Sequence, residues 1–515
     1  MDFRRPMKVL FVRPPRYMWP FNSESSSFWQ PLGMASMAAV LLENNIELEL
    51  IDCLAIKMGW KTLKKTVSNK DFDVLCVGDE TASAWEAIKL IQFVKKIKPK
   101  VKVVAGGYFF SYMEERALNE WGIDYIIRGE AEQTMLELVA CLSGKKKVKS
   151  YLPGKDFVMI TSIGKIDGII HKDNDKIVIN KQRAPLDMNK LPFPAYDLLP
   201  MKEYGKNSKN HQDFAAIEHG RGCTGGCDFC SISKLYSYKG KCGYRTKTPK
   251  RSFEETRILV EKYGRKTLNW ADGTFNLDPE WSKEYFELLA ASGIKVQHTA
   301  WMRADCVIRD EKLGVMKLMV DNGLVQGIIG MERMSEKENL AMNVKDKDYD
   351  TCMNGFKILN RYKKVYTIAT LIYGVPGDNS TKLRKLRKFI YTNPYFDFPF
   401  ILPYTPYPGT KAWEECKKKF SAEKFKSWNL HRPVVGTKYL TRKQLDNWFK
   451  MTLLLAVFGH TKMYKKALFE KNPRKKRIQY SLMKKLFKGL IVASRDFLTG
   501  RDSLEYGRKP KWYDL

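Results

Sequence analysis

Short apolar runs alternate with segments of helical length in two successive series, and that alternation constrains the fold more than any other feature. In the first series VLFVRPP (9–15), ELELID (47–52), DVLCVG (73–78), VKVVAGG (101–107) and DYIIRG (124–129) are strand-like, while 84–96 and 112–121 have helical length. Strands buried on both faces and separated by helices predict an α/β unit, a Rossmann-like parallel sheet with helices on each side. Ligands of such sheets bind beyond the strands' carboxyl ends, here RPPRYMW, GDETAS, GGYFFS and RGEAE. Gly106 and Gly107 permit close backbone approach there, and Thr81 and Ser83 offer hydroxyl donors.

Residues 150–210 read as a connector, with a hairpin-like insertion around GKIDGIIHKDNDKIVIN (164–180) and an extended, proline-rich LPFPAYDLLP (191–200). The second series is DFAAIEHG (213–220), KTLNWADG (266–273), IKVQHTAWM (294–302), LVQGIIGME (324–332), YTIATLIYGVPG (366–377) and DFPFILPYTPYPG (397–409). Six such units predict a partial (β/α)6 TIM-like barrel whose polar residues and glycines gather at one mouth. The remainder is basic and mainly helical. The expected divisions are therefore 1–148, 149–211, 212–411 and 412–515, in keeping with the two or three domains that 515 residues imply.

The apolar run MTLLLAVF (451–458) is too short to span a bilayer, and MDFRRPMKVLFVRPP passes from a charged start directly into a strand without a signal-peptide pattern. Seven of the ten cysteines are scattered singly and read as small buried side chains in a reducing, cytoplasmic compartment. The net charge of +33 is concentrated: residues 411–515 hold 27 Lys plus Arg against 9 Asp plus Glu, an excess of +18. Such a surface suits an anionic partner, whether nucleic acid, acidic peptide, phosphorylated metabolite or lipid headgroup. The segment KNPRKKRIQYSLMKKLFKGLIVASRDFL (471–498) interleaves cations with apolar residues; it either rests on an anionic membrane surface or packs on the barrel.

The other three cysteines stand together in GRGCTGGCDFC (220–230), as C-x3-C-x2-C. A disulfide would leave an odd thiol. Zinc wants four ligands, and none follows at finger spacing, although Cys242 lies twelve residues beyond Cys230. Glycines 222, 225 and 226 let a short loop wrap a bulky group. Three thiolates on an iron–sulfur cubane would leave one iron open to a chelating ligand.

This cysteine segment resembles the signature of the radical S-adenosylmethionine enzymes. WADGTFNLD (270–278), TAWMRAD (299–305), GIIGMER (327–333), YGVPGD and PYTPYPGT resemble the family's later strand ends, so the likeness extends over about 212–412. QPLGMASMAAVLLENNIELELIDC, followed by VVAGGYFFSYMEERALNEWGIDYIIRGEAEQTMLELV, resembles the cobalamin-binding domain that precedes this barrel in one class, the cobalamin-dependent radical methylases and their ring-forming relatives. The resemblance implies a [4Fe-4S] cluster held by Cys223, Cys227 and Cys230, with S-adenosylmethionine and cobalamin as further cofactors. On the S-adenosylmethionine side it implies Phe229, Asp272, Arg303, Glu332, Gly374 and Pro376, with Gly377 shaping the adenine-side turn. On the cobalamin side it implies Trp19, Thr81, Ser83, Gly106, Gly107, Gly129 and Glu130. Tyr404, Tyr407 and His298 are the candidates for facing substrate, and His219 either tunes the cluster or is structural.

One departure matters. Some cobalamin domains use an Asp-x-His-x-x-Gly loop beneath cobalt, but the six histidines here are at 171, 211, 219, 298, 431 and 460, so the first 150 residues hold none. A bound cobalamin would have no histidine from this segment on its lower face.

The implied activity is methylation of an unactivated carbon through a 5′-deoxyadenosyl radical and methylcobalamin. Cyclisation or rearrangement with the same cofactors is the alternative, and a nucleic-acid-binding protein with a structural cluster is a second. The implied partners are an external one-electron reductant, an acidic small-molecule, peptide or protein substrate, and an anionic membrane touched peripherally, with nucleic acid the less favoured.

Overall fold

The computed structural model describes residues 6–16, 29–78, 81–205, 213–344, 348–419, 425, 428, 432–458, 469–500 and 512–515. All five runs of the first series are strands: Lys8–Arg13, Glu47–Asp52, Val74–Val77, Lys102–Gly106 and Tyr125–Ile127. They pair in parallel, with the second at the edge and the first beside the third. Alternation within a strand sorts side chains to opposite faces. Val9 and Phe11 pack under helices Leu32–Glu43 and Glu132–Leu142, whereas Leu10 and Val12 pack under Trp60–Asn69 and Ala84–Ile97.

The sheet is mixed, not purely parallel as the alternation predicts. The hairpin Ile169–Asp173 and Lys176–Ile179, read as part of the connector, adds two antiparallel strands beside Tyr125–Ile127. Its turn at Asn174 and Asp175 has positive φ at both positions, as a tight two-residue hairpin requires. Pairing there covers an otherwise open sheet edge and buries Ile169 and Ile170.

The second series forms six strands in sequence order, all parallel: Phe214–Ile217, Thr267–Trp270, Gln297–Met302, Leu324–Glu332, Tyr366–Tyr373 and Phe398–Pro403. This is the strand order of a six-unit β/α barrel left open, with no pairing between first and last strands among the described residues. The intervening helices begin where the sequence supplies caps. Thr248 and Asp278 accept backbone N–H bonds ahead of Pro249 and Pro279, and Asp348 and Asn379 cap two more.

The basic region packs on both sheets. Helices Arg442–Phe458 and Pro473–Leu498 lie against each other and the second sheet, with Phe449 edge-on to Tyr373 and Lys475 paired with Asp397 at 3.1 Å. Trp413, Phe425, Trp428 and Val434 instead join the core of the first sheet, where Phe425 meets the rings of Phe109 and Trp121. Near the chain's end, Tyr513 accepts the backbone N–H of Trp60 through its carbonyl and packs edge-on to that indole. No described helix is long and apolar enough to cross a membrane.

Candidate functional site

The carboxyl ends of the two sheets meet across a cavity of about 300 Å³. The first sheet contributes Val77, Gly78, Gly106, Gly107, Gly129 and Glu130, and the second contributes Ala216, Glu218, Arg221 and Ala271. Gly78, absent from the sequence-derived candidates, has φ +127°, and a Cβ there would stand 2.7 Å from the Gly106 carbonyl oxygen. Thr81 and Ser83 are buried and are not among the residues that line the cavity, and Thr81 Oγ1 has no hydrogen-bond partner among the described residues. Trp19 lies outside the described residues. Among the described residues no histidine lines the cavity. His171 does enter the first sheet, but opposite Tyr125, at the amino end of that strand.

Arg221 is the hub of the wall. Its Nη1 is 2.9 Å from Glu130, its Nη2 2.6 Å from Glu132 and its Nε 2.9 Å from Glu218. Arg245 also pairs with Glu130, and Ser36 donates to Glu132 at 2.9 Å. Burial opposes ionisation of Glu132, but the Arg221 charge and hydrogen bonds outweigh it and hold the carboxyl below its ordinary range. For Glu218 burial wins and raises it. Sequence reasoning selected Glu130 alone of these four; the basic residue two positions before the first clustered cysteine was the available signal.

The strand Phe214–Ile217 leads directly into the cysteine loop. Asp272 accepts backbone N–H bonds from His219 (3.0 Å) and Gly220 (2.5 Å), and its second oxygen is 2.9 Å from His219 Nδ1. His219 Nε2 lies 3.0 Å from the Tyr244 hydroxyl, and the ring is fully buried beside Trp281, so His219 and Asp272 anchor the loop's entry. At Gly222, φ is +90° and a Cβ would fall 1.8 Å from the Gly243 carbonyl oxygen, which leaves room for glycine alone.

Cys223, Cys227 and Cys230 are unbridged and partly accessible. A Cβ on Gly225 would stand 3.6 and 3.8 Å from the sulfurs of Cys223 and Cys227, so both thiols wrap towards that glycine. The loop is fastened from outside: Asp228 N–H donates to the Met342 carbonyl (3.0 Å), Asn343 donates to the Gly226 carbonyl (2.7 Å), and Lys411 pairs with Asp228 (2.9 Å). Among the described residues no three His, Cys, Asp or Glu side chains converge as one mononuclear ion would require.

Residues 217–390 match the Radical SAM superfamily, and residues 19–139 match the B12 binding domain. This chain joins a B12 binding domain to a radical SAM domain. An uncharacterized methyltransferase of Pyrococcus horikoshii is 26% identical over 90% of this chain and 95% of its own length. The anaerobic magnesium-protoporphyrin IX monomethyl ester cyclase of Rubrivivax gelatinosus is 24% identical over 85% of this chain and 75% of its own. Among solved structures, the cobalamin-dependent S-adenosylmethionine radical enzyme OxsB, with aqua-cobalamin and S-adenosylmethionine bound, superposes with a TM-score of 0.66 at 15% identity, covering 98% of this chain and 77% of that one.

The carboxyl ends of the other radical SAM strands carry the remaining candidates. Glu332 sits in a strand irregularity with φ +60°, and its charge acts on Cys230. The neighbouring Arg333, which sequence reasoning passed over, is 1% exposed and bonds Asp378 at 2.5 and 3.2 Å. Asp378 in turn accepts the N–H groups of Gly374 (2.9 Å) and Val375 (3.2 Å), which shapes the turn through Pro376 and Gly377. Gly374 has φ +80° and packs on Leu445 of the basic region. Arg303 makes a two-pronged bond to Asp305 at 3.0 and 2.8 Å. Phe229 and Tyr404 share one apolar cluster with Ile372 and Val375 beside Cys227. Tyr407 contributes its carbonyl to Thr410, three residues on.

His298 departs from the expectation of facing substrate. It is the second residue of its strand and points into the helix layer, between Trp270, Tyr285 and Phe286, with Nδ1 accepting from Trp270 Nε1 at 3.2 Å. Complete burial pushes its pKa down to about 3. Above its ordinary value of about 6.5 its titration adds no pH dependence to stability, but at lower pH the unfolded chain takes up a proton that the folded chain refuses. His298→Gln keeps an acceptor for Trp270 without titrating. In denaturant titrations between about pH 6 and pH 5, it is expected to remove up to about 1.4 kcal/mol per pH unit from the stability slope. An unchanged slope would mean that the imidazole is hydrated.

Proposed function

We propose that the chain is a cobalamin-dependent radical S-adenosylmethionine enzyme that removes hydrogen from an unactivated carbon, with ring closure or rearrangement as the outcome. The observation that carries this reading is that the cysteine loop is built directly onto the strand whose end lines the same cavity as the glycine-rich ends of the first sheet. Bound together, the cluster, S-adenosylmethionine and cobalamin would supply radical initiation and a cobalt redox or nucleophilic centre.

The residues present fit these groups. Cys223, Cys227 and Cys230 would hold the cluster on a loop that Asp228, Asn343 and Asp272 hold in place from three sides. Gly106, Gly107 and Gly129 would present bare backbone to a broad ring in the cavity, and the buried Thr81 hydroxyl has no partner among the described residues. Glu332, an acceptor, would take the S-adenosylmethionine amino group, and Arg303, a donor that also bonds Asp305, would meet its carboxylate. The Gly374–Asp378 turn, fixed by Arg333, would border the adenine. The wall's cations are matched: Arg221 has three carboxylates, and Lys247 pairs with Glu255 at 2.6 Å. Carboxylates outnumber cations around Arg221, so the wall offers no free positive charge to a substrate. An acidic group on the substrate would therefore meet the basic C-terminal surface, and turnover requires an external one-electron reductant.

Ring closure is favoured by the likeness to the Rubrivivax gelatinosus cyclase, whose activity is stated in its name. Carbon methylation is the second reading, favoured by the Pyrococcus horikoshii relative, which this chain matches over nearly its whole length. Anaerobic reconstitution with iron, sulfide, cobalamin and labelled S-adenosylmethionine, with candidate substrates offered in parallel, separates them. A product that is an isomer or has lost two hydrogens supports the first, and a gain of one methylene supports the second. Failure to release 5′-deoxyadenosine under reduction would sink both.

A further inference from the structure

The helix Pro473–Leu498 carries eight Lys or Arg and a single Asp. Asn472 caps it, accepting from Arg474 N–H at 3.0 Å and Lys475 N–H at 3.1 Å. Its inward side is firmly seated on the lower rim of the radical SAM sheet. Lys475 bonds Asp397, Arg474 donates to the Val325 carbonyl at 2.9 Å, and Ile478, Gln479 and Asp496 are buried. The opposite side exposes Arg477, Tyr480, Lys484, Phe487, Ile491 and Leu498, spaced three or four residues apart and then seven. These positions form one continuous stripe on a helix. Tyr480 is 45% exposed, Phe487 54%, Ile491 59% and Leu498 81%. Single exposed apolar residues need no explanation, but an aligned row of four marks a binding surface.

We infer that this stripe lies on an anionic lipid surface, with the cations at headgroup level and Phe487, Ile491 and Leu498 inserted among the acyl chains. Charge complementarity selects that occupant. The last 105 residues carry an excess of +18, and Lys476, Arg477 and Lys484 line one basic recess beside the stripe. A second copy of this chain would bring the same positive surface against itself. Nucleic acid would match the cations but offers no dry surface to the three aliphatic and aromatic side chains. Because no described helix can span a bilayer, the helix would lie in the interface plane, where charge attraction and apolar insertion act together. The inference is independent of which reaction the enzyme carries out.

The test uses the full-length reconstituted protein in co-sedimentation with vesicles of phosphatidylcholine and phosphatidylglycerol in equal parts, and with vesicles of phosphatidylcholine alone. Binding to the anionic vesicles is expected to be about tenfold tighter or more, and to weaken as salt is raised. The double variant F487S/I491S is expected to reduce binding about tenfold or more. R477Q/K484Q should weaken binding at low salt and flatten its salt dependence. All four side chains are exposed, so thermal melting serves as the control for an intact fold. Equal binding to both vesicle types, no vesicle binding by the wild type, or wild-type binding by a normally melting F487S/I491S would each overturn the inference. Retention of duplex RNA without vesicle binding would overturn it too, as would self-association that F487S/I491S abolishes in the absence of lipid.

Discussion

Replacing Cys223, Cys227 or Cys230 by alanine is expected to abolish retention of iron and sulfide and to lower 5′-deoxyadenosine formation by more than about a thousandfold, since groups acting as one unit fail together. The fold should survive. The three cysteines are only partly buried residues, and the loop's fastenings run through Asp228, Asn343 and Asp272 instead of the sulfurs. Cys242 is the informative control. It lies close enough to Cys223 for the two to interact electrostatically, although burial is the larger influence on its thiol. Cys242→Ala should keep iron content within about twofold of the wild type if three thiolates suffice and one iron remains open. Iron and sulfide analysis after anaerobic reconstitution decides the matter. Loss of iron in Cys242→Ala equal to that in Cys223→Ala would mean that protein occupies the fourth corner.

The second large effect is expected at Arg221. Arg221→Met leaves Glu130, Glu132 and Glu218 facing one another in a buried wall with their central cation gone, and removing one partner of a buried pair costs about 3–5 kcal/mol. Arg221→Lys should recover only part of this, because a single ammonium cannot serve three carboxylates in the fixed directions of a guanidinium. The pH dependence has a definite sign. In the wild type Glu132 is held below its ordinary range, so its stabilising contribution is present above that range and is lost as pH falls through the depressed value. Without Arg221 the carboxyls protonate more readily. The deficit of Arg221→Met relative to wild type, read by denaturant titration, should therefore shrink as pH is lowered from neutral towards the carboxylate range. A deficit independent of pH would show that packing, not charge, is what Arg221 supplies.

Much of this architecture was legible because strand and helix signals are local. All five runs of the first series and all six of the second are strands in the structure, and the glycines at 106, 107 and 129 line the cavity as their placement at strand ends implied. The hairpin at 169–179 was visible as a hairpin, but its partner was not, since pairing with Tyr125–Ile127 depends on which sheet edge is left open. His298 shows a signal that was present and misread. It alternates with Ala300 and Met302, both of which pack in the core shared with the helix layer, so the period of two already assigned it to that layer rather than to the interior.

The partners of the buried charges were beyond local reading. Arg221 meets carboxylates 91 and 89 residues earlier in the chain, and Arg333 meets Asp378 45 residues later. By itself the sequence determined the order of strands and helices and the spacing of the three thiols, because backbone periodicity and a short loop are set by neighbouring residues. Only the tertiary structure decided that the two sheets share one cavity, that three carboxylates of its wall converge on a single arginine, and that the basic helix turns an apolar stripe outward. Those outcomes depend on which distant surfaces exclude water from each other, and that is settled only when the chain closes on itself.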